Sequence, residues 1–322
     1  MSSDIVLSSN VIVFLFIETI LLLLQFIVLF YTIKILKSWD FSKTTTKQYL
    51  LEKYSYLATL IIFFTIIIKI SLLPYFVYTI DILSVVVPGA MCAAGVISSN
   101  DYGEPLLVLK VIVVFLASLW IIVNKNDIKS KRFNFLIKKF WLYIILFVFL
   151  IVEYVLDILY FSSISTVSIA TCCSAIYDSS SVNALPFSMN LQFLLVSFYS
   201  IYILILFFNY KQLRVFSGVL NIIFLYISYY AVIYFFGTYI YELPTHHCPF
   251  CMMQSDYFYI GYFIFLFLFL GTFFGIANFM SKIINIKQNN DYFKYSTIFN
   301  TLYVSICTLY VTVYYLKNGV FL

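Results

Sequence analysis

Eight apolar stretches dominate this chain, each close to the roughly 20 residues that a helix needs to cross a bilayer. They run over 11–36, 55–80, 106–124, 140–162, 190–209, 216–240, 257–280 and 297–316. Only 10% of the residues are charged and 63% are hydrophobic, whereas soluble domains carry about a quarter charged residues. The expected fold is all-α: a polytopic membrane protein of about eight transmembrane helices, forming one integral membrane domain over residues 1–322. The first apolar run is longer than the roughly 7–15 residues of a signal-peptide core and has no basic segment before it. It reads as a retained helix, and no soluble domain is expected before or after the membrane part.

The connections alternate in charge. Lys34, Lys37, Lys43, Lys47 and Lys53 gather at the 1–2 connection, and Lys125, Lys129, Lys131, Arg132, Lys138 and Lys139 at the 3–4 connection. Lys211 and Arg214 fall between helices 5 and 6, and Lys282, Lys287 and Lys294 between 7 and 8. Only Lys69, Lys110 and Lys317 lie elsewhere. The positive-inside rule makes that side cytoplasmic, and Trp39, Trp120 and Trp141 fall near the same boundary, as interfacial anchors do. Both termini and the 2–3, 4–5 and 6–7 loops are then outside. A bacterial inner-membrane location follows from this reading. The net charge of +5 resides in these connections, no Gly-rich phosphate loop occurs, and neither nucleic acid nor ATP is an expected ligand.

The three outer loops carry five of the six cysteines. Cys92 lies in VPGAMCAAG, Cys172 and Cys173 in ATCCSAIYD, and Cys248 and Cys251 in PTHHCPFCMM; Cys307 sits inside helix 8 as a small hydrophobe. The last of these loops holds both histidines of the chain, His246 and His247, followed by the C-x-x-C pair and by Met252 and Met253. Pro88 to Cys92 and Pro244 to Cys248 share a P-x-x-x-C spacing. The 2–3 loop is apolar and is expected to tuck back against the helices, so that the Cys-bearing loops form a compact outer cap.

Thiolate, thioether and imidazole together suit a thiophilic metal. The candidate ligands are His246, His247, Cys248, Cys251, Cys92, Cys172, Cys173 and Met252. Cu(I) fits this mixture first, and Zn(II) would accept Cys and His alone. Met252 after the C-x-x-C excludes c-type haem attachment. The expected function is handling of a soft metal ion, copper first, in the periplasm, with a periplasmic metallochaperone as partner. Whether the chain is an enzyme is left open.

Two alternatives stand beside this reading. Cys248 and Cys251 precede helix 7, whose N-terminus and neighbouring histidines would lower a thiol pKa, and these ten or so residues resemble the membrane thiol oxidases of the DsbB and vitamin K epoxide reductase type. The resemblance implies a dithiol pair exchanging electrons with cysteines of another outer loop and with a thioredoxin-like partner, with Cys248 and Cys251 as the reacting residues. Eight helices and the preceding HH depart from that pattern. The other alternative is a transporter or permease subunit braced by structural disulfides, powered by partner subunits of a membrane complex such as an ABC transporter.

Away from the helix ends, five charged residues fall within the apolar stretches: Glu18, Lys69, Lys110, Glu153 and Asp157. Charges in lipid are costly and face the bundle interior. Counting from the helix ends at 1.5 Å per residue puts Lys69 and Glu153 level near the midplane, with Asp157 one turn along on the same face. They read either as structural ion pairs or as a polar path for protons or cations. Gly271 and Gly275 form a G-x-x-x-G for close helix packing, and Pro74 is expected to kink helix 2.

Overall fold

The computed structural model describes residues 3–40, 45–130, 135–166, 190–286 and 289–322. Among them eight helices are long and apolar enough to cross a membrane: α1 Ser9–Ser38, α2 Thr46–Leu83, α3 Gly103–Lys129, α4 Leu136–Ser163, α5 Leu191–Tyr210, α6 Arg214–Tyr241, α7 Ile260–Ile283 and α8 Asn290–Asn318. Most begin or end a few residues beyond the apolar runs, because a helix continues past the bilayer wherever its end is capped. The Thr45 side chain accepts from Gln48 N at 3.4 Å, starting α2 nine residues before the apolar run; Asn289 accepts from Asp291 N at 3.1 Å and does the same for α8. α2 runs through Pro74 as one helix.

The chain divides into two compact units. Unit 1 comprises Met1–Pro88 and Val96–Ile169, and unit 2 comprises Gly89–Gly95 and Ala170–Leu322. Unit 1 is a four-helix bundle in which α1 packs on α2, α2 on α3, α3 on α4 and α4 back on α1. Unit 2 repeats the cyclic order with α5, α6, α7 and α8.

The burial pattern is that of a bilayer protein. In α1 the buried positions are Val11, Phe14, Glu18, Leu21, Gln25, Val28, Thr32 and Ile35, a stripe spaced alternately by three and four residues. Every polar residue in the middle of the helix lies on that stripe or at its edge, while Ile12, Phe16, Leu23 and Phe30 are exposed. A soluble bundle puts its polar residues outside; here lipid is the solvent that the outer face suits. Trp120 is fully buried in the core of unit 1, so it packs the bundle and does not anchor at an interface as its sequence position suggested.

In unit 2 the G-x-x-x-G has a specific partner. A Cβ on Gly271 would lie 2.8 Å from the backbone N of Asn300, and one on Gly275 would run into the Asn221 side chain. Asn300 Nδ2 donates to Asn221 Oδ1 at 2.9 Å. The glycines therefore admit a buried amide pair from α6 and α8 against α7, a polar contact that the surrounding hydrocarbon strengthens.

Candidate metal centre

Unit 2 takes in Gly89–Gly95, and with it Cys92. The approach depends on Gly89, whose φ of 82° lies in the left-handed region that glycine adopts without a Cβ penalty. Pro88 before it presets the turn. Cys92, Ala93 and Ala94 are then almost fully buried. On the other side, α6 ends at Tyr241, and Glu242 takes a left-handed φ of 54° that turns the chain into Leu243–Phe250. Cys251–Met253 form a single 3-10 turn.

The result is a buried cluster of three sulfurs. Cys92, Cys248 and Cys251 have their Sγ atoms all within 4.8 Å of one another, and all three residues are buried. The Sγ atoms of Cys92 and Cys248 are 3.4 Å apart although the residues are 156 positions apart in the chain. This is van der Waals contact, well beyond the roughly 2.05 Å of a disulfide. Phe250 N donates to Cys248 Sγ at 3.4 Å, a bond that favours the thiolate over the thiol.

Tyr241 holds the two flanks of the C-x-x-C together. Its hydroxyl donates to the Cys248 carbonyl and accepts from Met252 N at 3.0 Å. Its ring meets His246 edge-on at 4.4 Å between centroids and Tyr257 at 4.8 Å. Below, the first turn of α7 presses on the same loop: a Cβ on Gly261 would lie 2.6 Å from Met252 Cγ and 2.8 Å from Met253 Cγ.

The histidines stand next to the sulfurs without joining that 4.8 Å group. His247 is buried, and its Nδ1 donates to the Ile233 carbonyl at 3.2 Å. That carbonyl belongs to a π-helical turn, Val232–Phe236, inside α6. Gly237 permits the turn, since a Cβ there would sit 2.7 Å from the Val232 oxygen. With Nδ1 protonated toward a carbonyl, the Nε2 of His247 carries the lone pair, the tautomer a metal ligand needs. The Nε2 atoms of His246 and His247 are both buried without a hydrogen-bond partner among the described residues. Burial lowers the pKa of His246, opposed by Cys92 and reinforced by His247, a direction that favours the neutral ring.

Two expectations need correction or restriction. The C-x-x-C does not sit at the N-terminus of α7: residues 252–259 intervene, and left-handed Phe258 and Tyr259 (φ 53° and 57°) redirect the chain before Ile260. The helix dipole, which fades within the first turn, therefore does not act on these thiols. Met252, beside the C-x-x-C, is fully buried. Cys172 and Cys173 lie outside the described residues. Cys307 is buried within α8, apart from the cluster. Tyr241 and the Ile233 carbonyl, both integral to the site, had no sequence signal: one is among 29 tyrosines and the other is backbone.

Unit 1 brings its five ionisable residues into one chain of contacts. Lys69 Nζ reaches Glu18 Oε1 and Oε2 at 2.5 and 2.6 Å and Glu153 Oε1 at 3.0 Å. Lys110 Nζ reaches the same Glu153 oxygen at 2.8 Å and both Asp157 oxygens at 2.9 Å, with Oδ2 in hydrogen-bonding geometry. Phe14 and Phe76 put ring faces 4.8 and 4.5 Å from that ammonium. Depth counting placed Lys69 level with Glu153 but did not find Glu18, which is its two-oxygen partner.

No protein-family model, curated protein or solved structure matches this chain. What it does must be argued from the geometry of its own residues.

Proposed function

We propose that this multi-pass membrane protein handles a soft metal ion, copper first, at Cys92, Cys248 and Cys251. The observation that carries the reading is the convergence of three buried sulfurs from two distant loops within 4.8 Å of one another. Burying three thiols in contact gains little over burying three alkyl groups, whereas a cation between them would offset the mutual repulsion of their thiolates. Structural Zn(II) sites are almost always four-coordinate, and three soft donors favour Cu(I). His246 and His247, with buried lone-pair nitrogens, are the reserve ligands, and Met252, Cys172 and Cys173 complete the soft-donor set. The alternating basic connections support placing both termini and the site on the extracytoplasmic side, facing the periplasm of a bacterial inner membrane, where a metallochaperone could deliver or collect the ion.

The test is metal content and thiol titre on wild type, Cys92→Ser and His247→Ala, purified without oxygen or chelator. Cys92→Ser should lose metal retention; His247→Ala should weaken it with the thiol count unchanged. Bound metal should protect the thiols from alkylation and leave on acidification, because only thiolates bind. Wild type that fails to bind added Cu(I) or Zn(II) overturns the proposal.

The 3.4 Å contact between Cys92 and Cys248, beside a C-x-x-C, supports a second reading as a dithiol–disulfide relay. Cys248 and Cys251 would form a disulfide with each other as they pass two electrons and two protons to a partner's disulfide, which is reduced to two thiols. Cys251→Ser should then trap a mixed disulfide with that partner.

A further inference from the structure

The ion network of unit 1 does not close its own charge. Glu18, Glu153 and Asp157 supply three carboxylates, while Lys69 and Lys110 supply two ammonium groups, and all five are at most 7% exposed. Fully ionised, the network would hold one uncompensated negative charge inside hydrocarbon, at a penalty of several kcal/mol. Other charged residues do not offset it: on the stretches of α1, α2, α3 and α4 that surround the network, these five are the only Asp, Glu, Lys, Arg or His residues, and the neighbouring Tyr154 and Tyr160 carry neutral phenols.

Geometry locates the deficit. Glu153 Oε1 accepts from Lys110 and pairs with Lys69, whereas its Oε2 has no hydrogen-bond partner among the described residues and is buried. Asp157 Oδ1, one turn along α4, likewise lacks a hydrogen bond although Lys110 is near. Carboxylate oxygens of Glu18, Glu153 and Asp157 lie within 4.8 Å of one another, the kind of spacing that also suits a metal ion. Here the places between the acids are already taken by cations: Lys69 bridges Glu18 and Glu153, and Lys110 bridges Glu153 and Asp157. A metal would be repelled by both. A proton needs no such space, and it converts an orphaned acceptor into a neutral hydroxyl.

We propose that unit 1 is a membrane-embedded proton-binding site, carrying one exchangeable proton on Glu153 and Asp157. A cavity of about 20 Å³ lined by Glu18, Lys69, Gln25, Thr65 and Tyr154 gives room for one water beside the network, and a smaller one of about 10 Å³, lined by Glu18, Lys69, Lys110 and Glu153, reaches the acid itself.

The experiment is infrared spectroscopy of the full-length protein in micelles near neutral pH, in H2O and D2O. Wild type should show the carbonyl band of a single protonated carboxyl, shifted by D2O. Asp157→Asn or Glu153→Gln leaves two acids against two bases and should abolish the band. Lys110→Met leaves three acids against one base and should double its area. A wild-type spectrum without the band overturns the proposal whether or not any variant folds, as does a band that persists in Asp157→Asn or Glu153→Gln. Stabilisation of wild type by Na+ over choline at fixed pH would also overturn it, by showing a metal ion in the proton's place.

Discussion

Replacing Lys69 by Met is the sharpest test of how unit 1 is held together. The side chain is 7% exposed and its ammonium contacts three carboxylate oxygens at 2.5, 2.6 and 3.0 Å. At an effective dielectric constant of about 20, each of the two ion pairs, with Glu18 and with Glu153, is worth about 6 kcal/mol of Coulomb energy. Desolvation of the ions cancels most of it, and the measured cost of orphaning one partner of a buried pair is about 3–5 kcal/mol. The denatured state in a micelle also finds polar partners, which draws the figure toward the lower end. Lys69→Met should therefore cost about 3 kcal/mol. Glu18→Gln removes the two-oxygen contact but lowers the negative charge, and should cost about 1–2 kcal/mol.

The double variant decides the matter. Glu18→Gln with Lys69→Met leaves Glu153 and Asp157 against Lys110, the same one-charge deficit as wild type. Its cost should fall short of the sum of the single variants by about 2 kcal/mol or more, against about 0.5 kcal/mol for independent sites. Reversible unfolding in mixed micelles by added SDS measures this. All three tryptophans, Trp39, Trp120 and Trp141, belong to unit 1, so intrinsic fluorescence follows the relevant bundle. Additive costs, or a Lys69→Met variant within about 0.5 kcal/mol of wild type, would refute the reasoning.

Other outcomes follow from the same packing. Gly271→Ala forces a methyl against the Asn300 backbone and should destabilise unit 2 by about 1–3 kcal/mol, read by circular dichroism on thermal unfolding. Gly261→Ala pushes on Met252 and Met253 and should expose the thiols, so alkylation of Cys248 and Cys251 should run faster than in wild type; equal rates would show that the loop does not rest on α7. Tyr241→Phe keeps the ring but orphans the Cys248 carbonyl and the Met252 N–H, and metal retention should fall about 10–100-fold, as for other outer-shell partners. A reporter fused within 125–139 should read cytoplasmic and one after Leu322 external; a cytoplasmic C-terminus would remove the basis for placing the cysteine site outside.

The spans were legible because hydrocarbon imposes a length: a helix that must cross about 30 Å announces itself as a run of apolar residues. Their ends were less so, since Thr45 and Asn289 extend α2 and α8 by capping, outside any apolar run. The C-x-x-C was legible as a ligand spacing, but its third sulfur came from a turn at Pro88 and Gly89 whose destination no local pattern reveals. A P-x-x-x-C echo hinted at Cys92 without giving a contact. Counting helical rise matched Lys69 to Glu153 in depth, yet depth is one coordinate of three. The rotation of α1 that turns Glu18 onto Lys69 comes from its three-four stripe of buried residues, which in an all-apolar helix carries almost no amphipathic signal.

The π turn in α6 is the feature that best separates a built ligand site from a packed loop. A π turn gives up regular hydrogen bonding and appears chiefly as single turns at functional sites. This one requires Gly237 and presents the Ile233 carbonyl to His247 Nδ1. If His247 merely filled space, either ring nitrogen could face that carbonyl and an aromatic residue would serve as well. The bond instead fixes one tautomer and leaves Nε2 buried with its lone pair unused by any described residue. Leaving a buried acceptor unmatched costs about 1–3 kcal/mol, and the loop carries two such nitrogens, on His246 and His247, next to three sulfurs. Those buried acceptors beside three sulfurs are the features of the loop that the metal-site proposal uses and that simple packing leaves without a role.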